Sequence, residues 1–243
     1  MSHDASPQTP EPTPPPVGRA PVVLIAAHDE ADRLPATLAA LRAAFPGARV
    51  VVADDGSTDG TAEVAAAGGA EVARSERNVG KGGAATLGAQ RLLALAREPD
   101  PPVVLLCDGD LATSADALAE LVETVRRGDA DLAVAAFARR VGGGFGLAVG
   151  FARWAIRRRC GLETVAPISG QRALRADVLP AVLPFAPRFG MEIGMTVDAV
   201  RAGYRVKEVE LPLTHRATGK TLKGFLHRGR QLKDFVAVYL ARR

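Results

Sequence analysis

A single α/β domain with a mostly parallel sheet flanked by helices is the fold class this sequence predicts, and three observations predict it. Short β-branched apolar runs recur near 22–27, 48–53, 70–74, 102–107 and 131–136. Alanine- and leucine-rich stretches at helical spacing lie between them, and such βαβα order implies right-handed crossovers with helices on both faces of the sheet. Three of the runs end in acidic segments: Ala26-Ala27-His28-Asp29-Glu30, Asp54-Asp55-Gly56-Ser57-Thr58-Asp59-Gly60-Thr61, and Asp108-Gly109-Asp110. Strands that stop on carboxylates line one sheet edge with negative charge, and open α/β sheets bind ligands at that edge. A carboxylate-lined edge suits a hydrated sugar, a ribose and a divalent cation.

In chain order, residues 1–20 hold six prolines between Pro7 and Pro16 and no apolar periodicity, which predicts a disordered tail. The tail has neither the basic start nor the apolar core of a signal peptide. Leu34, Leu38, Leu41 and Phe45 mark the first helix. Asp59 or Ser57 is positioned to cap the helix that carries Glu63, and Thr113 or Ser114 the helix around Ala117 to Val125. Past residue 137 the rhythm breaks. Val141 to Ile156 is glycine-rich and then apolar, followed by Arg157, Arg158 and Arg159. This predicts a loop running into a helix, which either packs in the core or lies on a membrane surface with its arginines at the headgroups. A helix near 191–202, a strand near 205–211 and a basic helix from about Leu222 to Leu240 complete the chain.

With 243 residues and 47% apolar content the chain has ample material for a core. No stretch reaches eighteen consecutive apolar residues, so no membrane span is expected. Two cysteines, Cys107 and Cys160, give neither a disulfide framework nor a zinc pattern, which points to the cytoplasm and to Cys107 as a buried, reduced thiol. The net charge of +4 is uneven, with Arg139, Arg140 and Arg157 to Arg159 in the middle and many basic residues after Arg216. Such runs serve either as solvated helix faces or as contacts for an anionic partner, such as phosphate or a lipid headgroup.

Asp108-Gly109-Asp110 is the sharpest chemical element. Two carboxylates one residue apart, just past a buried strand, both reach one hard cation, and Mg²⁺ and Mn²⁺ prefer such oxygens together with substrate phosphate oxygens. Alone, the pair is a weak signal and reads more readily as a solvated loop that caps the next helix; the preceding strand and the other acidic strand ends raise the metal reading. Asp54 and Asp55 end the second strand, where one can accept hydrogen bonds from a base or a ribose hydroxyl. Asn78-Val79-Gly80-Lys81-Gly82-Gly83-Ala84 reads as a phosphate loop entering a helix, with Lys81 facing an anion, or as plain helix-turn chemistry. It is not the G-x-x-x-x-G-K-[ST] pattern of nucleotide-hydrolysing P-loops, and no G-x-G-x-x-G follows the first strand. His215 lies in a polar stretch with Arg216 and Lys220. If that stretch folds over the acidic edge, His215 completes a metal shell and the two cations reach phosphates. Glu192, an acid in an apolar helix start, is a general-base candidate or a helix-dipole partner.

These motifs together resemble the GT-A-fold glycosyltransferases, in the large family that contains dolichyl-phosphate mannose synthase. The resemblance covers roughly residues 22–225. Ile25 to Glu30 is similar to the family's I-P-A-Y-N-E, departing at Ala26, His28 and Asp29. Val52 to Thr61 is close to V-D-D-G-S-x-D-G-T, Asn78 to Gly83 resembles the N-x-G-K-G loop, and Asp108 to Asp110 takes the place of D-x-D. The resemblance implies that Ala26, Glu30 and Asp55 hold the nucleotide; Lys81, Asp108 and Gly109 complete the expected nucleotide-sugar site. It implies that Asp108 and Asp110 hold Mg²⁺ or Mn²⁺, with His215 as a further ligand. Asp110 and Glu192 are the catalytic candidates, Glu192 as the base that a hydroxyl acceptor would need. Ser169-Gly170-Gln171-Arg172 and Gly219 to Lys223 echo polyprenyl-phosphate sugar synthases, whose basic loop Arg139 and Arg140 match. Gly190 to Ile193 and His215-Arg216 are closer to glucosyl-3-phosphoglycerate synthases. The acceptor side therefore draws on Arg139, Arg140, Ser169, Gln171, Arg172, Arg216 and Lys220.

The expected arrangement is a nucleotide-sugar half over 21–136 and an acceptor half over 137–243 with its basic C-terminal helix. The expected activity is inverting transfer of a hexose from a UDP- or GDP-sugar to polyprenyl phosphate, with peripheral contact to the inner face of the membrane. A small phosphorylated acid such as 3-phosphoglycerate is the alternative acceptor, with retention possible. A homodimer is compatible with the sequence. A nucleotidyltransferase would carry a basic glycine-rich loop directly after the first strand, where His28-Asp29-Glu30 stands. A nucleic-acid-binding module would interleave aromatics with its basic tail, which this chain does not.

Overall fold

The computed structural model describes residues 19–111, 115–137, 146–211 and 222–242. Its elements run β1 (Val22–Ala27), α1 (Leu34–Ala44), β2 (Arg49–Asp54), α2 (Thr61–Ala67), β3 (Glu71–Arg74), α3 (Lys81–Gln90), β4 (Val103–Asp108), α4 (Ala119–Arg126) and β5 (Leu132–Phe137). They continue with α5 (Gly146–Cys160), β6 (Arg172–Arg175), α6 (Leu179–Val182), α7 (Met191–Arg201), β7 (Val206–Leu211) and α8 (Leu222–Ala241). The strands form one sheet of seven in the order β3-β2-β1-β4-β6-β5-β7. β6 runs antiparallel to both its neighbours, and every other pairing is parallel.

The period-two alternation of the strands divides the core in two. Val23 and Ile25 of β1, Val50 and Val52 of β2, and Leu105 of β4 face Leu34, Leu38 and Leu41 of α1 and Leu121 and Val125 of α4. Val22 and Leu24, Val51 and Ala53, and Val104 and Leu106 face the other way, onto Ala84, Ala85 and Ala89 of α3 and Met191 and Met195 of α7. Burial on both faces is why these parallel strands read as continuous apolar runs. A third cluster joins Ala152 and Ile156 of α5, Ile193 and Val197 of α7, and Phe235 and Val238 of α8. The ion pair of Arg242 with Asp198, at 2.5 Å, ties the end of α8 to α7.

The central strands fall within one residue of the runs read from the sequence, and the order of strands is that of the expected α/β class. β6 was not expected. It is only four residues long and begins with a buried arginine, so neither length nor apolar pattern announces it. The proposed cap of α2 also differs. Gly60 occupies the cap position, while Asp59 Oδ1 accepts from Thr61 N at 3.0 Å and the Ser57 hydroxyl turns to Asp54. Thr113 and Ser114 and the tail before residue 19 lie outside the described residues.

Small residues let α3 lie close to its neighbours. A Cβ at Gly82 would run into the carbonyl oxygen of Ala186, a backbone atom that cannot swing aside. Gly82→Ala is therefore expected to cost about 1–3 kcal/mol, lowering Tm by roughly 2–4 °C per kcal/mol for a chain of this size. Thermal denaturation followed by circular dichroism checks this, and an unchanged midpoint would contradict the packing described.

Candidate active site

The chain reverses direction across the sheet between β1 and β4, which makes the carboxyl ends of β2, β1 and β4 the switch point of the fold. Ala27 pairs with Asp54 on one side, and Ala26 pairs with Asp108 on the other. Register alone thus brings the three acidic segments together at one edge.

The segment after β1 is tied to the segment after β2 by hydroxyls and carboxylates. Asp29, with a positive φ of 53°, donates its N–H to Ser57 Oγ at 3.0 Å, and its Oδ1 accepts from Thr58 N at 2.9 Å. Glu30 N donates to Thr61 Oγ1 at 2.9 Å, and Ala31 N to Asp59 Oδ2 at 3.0 Å. Asp54 is fully buried beneath this loop. It accepts from Ser57 N at 3.0 Å and from the Ser57 hydroxyl, and its Oδ2 lies 3.2 Å from Arg74 Nε.

Asp55 points the other way, into the loop before α3. Its carboxylate accepts from Val79 N at 2.6 Å and Gly80 N at 2.9 Å. Burial pushes its pKa up, against these two N–H groups, which favour the charge. His28 meets Asn78 on the same loop, with His28 Nε2 3.1 Å from Asn78 Nδ2. Asp55 thereby fixes the loop that begins α3 and sets the position of Lys81.

Lys81 reaches across the edge to two carboxylates, Asp108 Oδ1 at 2.6 Å and Glu192 Oε1 at 2.9 Å. Burial opposes its charge, but the two carboxylates outweigh burial and hold the ammonium well above its ordinary range. Asp108 is held from the other side by Gln171, whose Nε2 donates to Asp108 Oδ2 at 3.1 Å and whose Oε1 accepts from Asp108 N at 3.3 Å. A Cβ at Gly170 would stand 2.5 Å from Lys81 Nζ and 2.8 Å from Asp108 Oδ2, so a side chain there would displace the ends of the pair.

Glu30 sits beside Arg33, with Oε2 2.7 Å from Arg33 Nη1. Burial raises its pKa, Arg33 opposes the rise, and the charges of Asp110 and Asp108 add to it. Gly109 N donates to Ala26 O at 3.1 Å, and Gly109 O accepts from Thr37 Oγ1 at 2.8 Å. Asp110 is exposed at the rim. Cys107 is buried as expected, and burial pushes its thiol up.

The structure brings together Ala26, Glu30, Asp55, Lys81, Asp108, Gly109, Asp110, Gln171 and Glu192 around one edge. Arg172 departs from the expectation. It is 1% exposed, and its donors go to Ser169 O at 2.8 Å, Thr196 Oγ1 at 3.0 Å and Pro167 O at 3.4 Å, not outward to an acceptor phosphate. Burial draws its guanidinium down to about 10, against the pull of Glu192 and Glu208. Ser169 is buried too, and its hydroxyl has no hydrogen-bond partner among the described residues. Arg139, Arg140, His215, Arg216 and Lys220 lie outside the described residues. Sequence reasoning missed Thr37 and Glu208, and it named Gly170 within a motif without giving it a role of its own. Thr37 carried a signal, a polar residue on the apolar face of α1. Glu208 carried none; it accepts from Val165 N at 2.6 Å and Ala166 N at 2.7 Å, pinning the loop that leads to Gly170.

Residues 22–176 match the model of glycosyl transferase family 2. The chain belongs to that family. It is a glycosyltransferase with the GT-A fold. It is 33% identical to the undecaprenyl-phosphate mannosyltransferase of Micrococcus luteus over 221 residues, covering 82% of this chain and 86% of that one. It is 34% identical to an uncharacterized glycosyltransferase of Mycobacterium tuberculosis over 211 residues, covering 84% of this chain and 89% of the relative. Among solved structures it is similar to glucosyl-3-phosphoglycerate synthase from Mycobacterium tuberculosis in complex with Mn²⁺, UDP-glucose and phosphoglyceric acid. That match has a TM-score of 0.71 at 26% identity, covering 93% of this chain and 80% of the other. The same synthase with phosphoglyceric acid alone gives a TM-score of 0.72, also at 26% identity and with the same coverage.

Two outcomes follow from the geometry of this glycosyltransferase. Lys81→Met leaves the carboxylates of Asp108 and Glu192 without their shared cation and should cost about 2–4 kcal/mol, since breaking a buried pair strands a charge. Adding Glu192→Gln should recover a large part of that loss in urea denaturation, and strict additivity would contradict the bridge. Asp55 has a raised pKa, so its folded form holds a proton to higher pH than the unfolded chain, whose value is about 3.9. The cost of its buried charge then appears as pH rises through the folded value. Asp55→Asn should gain on the wild type as pH rises from about 4, the unfolded value, through the raised folded value, and a loss as pH rises would contradict the assignment.

Proposed function

We propose that this glycosyltransferase moves a hexose from a UDP- or GDP-sugar to polyprenyl phosphate, with inversion at the anomeric carbon. The convergence of Asp108, Asp110, Glu30 and Asp55 on the switch point carries the donor half of this reading. The likeness to an undecaprenyl-phosphate mannosyltransferase over most of both chains supports the acceptor half.

The donor set suits Mg²⁺ or Mn²⁺. Asp108 and Asp110 offer hard oxygen ligands, and their charges add to burial in raising the Glu30 carboxyl. Among the described residues no cluster of three His, Cys, Asp or Glu side chains could hold an ion. Phosphate oxygens of the donor, and His215, would complete the shell. When bound, the cation neutralises charge that builds on the departing nucleoside diphosphate. Asp55 holds the Asn78–Gly80 loop at the nucleotide end. Ala26 and Gly109 form the floor where strands β1 and β4 meet. Lys81 and Gln171 fix the rotamer of Asp108, and Lys81 keeps the Glu192 carboxylate aimed at the same space.

In the transfer, an acceptor phosphate oxygen bonds to the anomeric carbon as the bond from that carbon to the diphosphate oxygen breaks. A phosphate acceptor is already anionic and needs no base. With a hydroxyl acceptor, Glu192 takes the proton. Such an acceptor, a small phosphorylated acid, is the second reading, favoured by the structural likeness to a synthase complexed with phosphoglyceric acid. Arg139, Arg140, Arg216 and Lys220 are the candidate contacts for acceptor phosphate in either case, with Ser169 and Gln171 at its inner side.

Donor turnover is measured with a panel of nucleotide sugars, with Mn²⁺, Mg²⁺ or chelator, offering polyprenyl phosphate or 3-phosphoglycerate. The expected result is cation-dependent nucleoside diphosphate release with polyprenyl phosphate. Asp110→Ala should reduce it about 10²–10³-fold, the range for losing one group that stabilises developing charge. Turnover with 3-phosphoglycerate alone would select the second reading. No release and no nucleotide-sugar binding would overturn both.

A further inference from the structure

We infer that α5 and α8 together form a surface that docks on an anionic lipid bilayer. This rests on the polyprenyl-phosphate reading, under which the acceptor sits in a bilayer. No helix among the described residues is long and apolar enough to cross one. The phosphate of such an acceptor lies at the bilayer surface, where a docking face would present it to the enzyme.

The exposed apolar side chains of the two helices concentrate there. Leu147 is 88% exposed and Trp154 49%, one face of α5 at a spacing of seven residues. On α8, Leu232, Val236 and Leu240 recur every fourth residue, at 37%, 37% and 46% exposure. The two stripes are contiguous, because the rings of Trp154 and Tyr239 stand 4.8 Å apart. The opposite faces of both helices are spent on the core, through Ala152, Ile156, Phe235 and Val238 against Ile193 and Val197 of α7. Ile193 adjoins Glu192, so a bilayer on the outer face would lie one helix layer from the active-site edge.

Charge decides the occupant. Arg157 and Arg158 are exposed at the end of the α5 stripe, and Arg159 lies 3.7 Å from the centre of the Tyr239 ring. Lys233 is exposed on α8. The acidic neighbours are Glu163, 3.6 Å from Arg157, and Asp234, half-buried on α8. A tryptophan and leucines rimmed by arginines match the interfacial zone of a bilayer with anionic headgroups. A second copy of the chain is a poorer fit, since a two-fold pairing of this face would set the same basic rim against itself.

Trp154 is the only tryptophan in the chain, so its emission reports on this face alone. The full chain, without donor or acceptor, is titrated with vesicles of phosphatidylcholine with or without phosphatidylglycerol, and sedimentation is read in parallel. The expected result is a blue shift and co-sedimentation with the anionic vesicles, weaker in high salt. Leu147→Asp and, separately, Arg157→Glu with Arg158→Glu should each weaken partitioning at least about tenfold, the loss expected for one buried leucine or two headgroup contacts. An unchanged spectrum with no sedimentation would overturn the inference. So would a blue shift that needs no lipid and grows with protein concentration, which assigns the face to a second copy. Transfer to polyprenyl phosphate in detergent separates the two readings. Vesicle binding without such transfer supports the docking face and overturns the acceptor.

Discussion

One ammonium joins the parts of this molecule that must act together. Lys81 starts α3, Asp108 ends β4 and Glu192 opens α7, and the Lys81 side chain touches both acids. Without it the two carboxylates would face each other across a poorly hydrated cleft, where unpaired charge is costly. The bridge need not add net stability, since desolvating three ionic groups offsets much of their attraction. Its value lies in geometry. It fixes which way Asp108 and Glu192 point, and it makes the α3 start depend on the sheet edge. Asp55 completes the constraint by holding the loop before α3 through backbone N–H groups.

A second constraint acts from the acceptor side. β6 inserts antiparallel between β4 and β5, and the loop entering it carries Gly170 and Gln171 to Asp108. That loop has few apolar anchors and is held by polar ones. Glu208 takes two of its N–H groups, and the buried Arg172 takes two of its carbonyls. Arg172 also donates to Thr196 on α7, the helix of Glu192. Hydrogen bonds thus link the loop, β4 and α7 around the site. A buried guanidinium whose donors go to neutral oxygens is unusual. The nearby charges of Glu192 and Glu208 explain why it is tolerated.

Much of this was legible in the sequence, and for identifiable reasons. β1, β2 and β4 are buried on both faces, so their apolar runs stand out, and each ends on the residues that define the edge. Register then needs no further information to bring Ala26, Asp54 and Asp108 side by side. What escaped notice depends on distant pairing. β6 is short and opens with an arginine whose burial only the tertiary fold makes possible. That same arginine read as a phosphate ligand because sequence shows charge and not depth. Lys81 read as a phosphate contact; the anions it meets in the structure are side chains from β4 and α7. Glu208, on the alternating strand β7, looks like any solvent-facing acid. The α5 stripe was visible as an apolar run ending in arginines, but its exposed face became definable only once the inner face was seen packed on α7.

The central claim is that the carboxyl edge of β1, β2 and β4 holds a divalent cation together with a nucleoside diphosphate. Crystals grown with Mn²⁺ and a nucleoside diphosphate, with diffraction collected at the manganese edge, test it directly. The account predicts one anomalous peak between the Asp108 and Asp110 carboxylates and the diphosphate oxygens, with the nucleoside running toward Asp55. An ordered nucleotide at another place on the molecule, or a peak at which neither aspartate is a ligand, would contradict it.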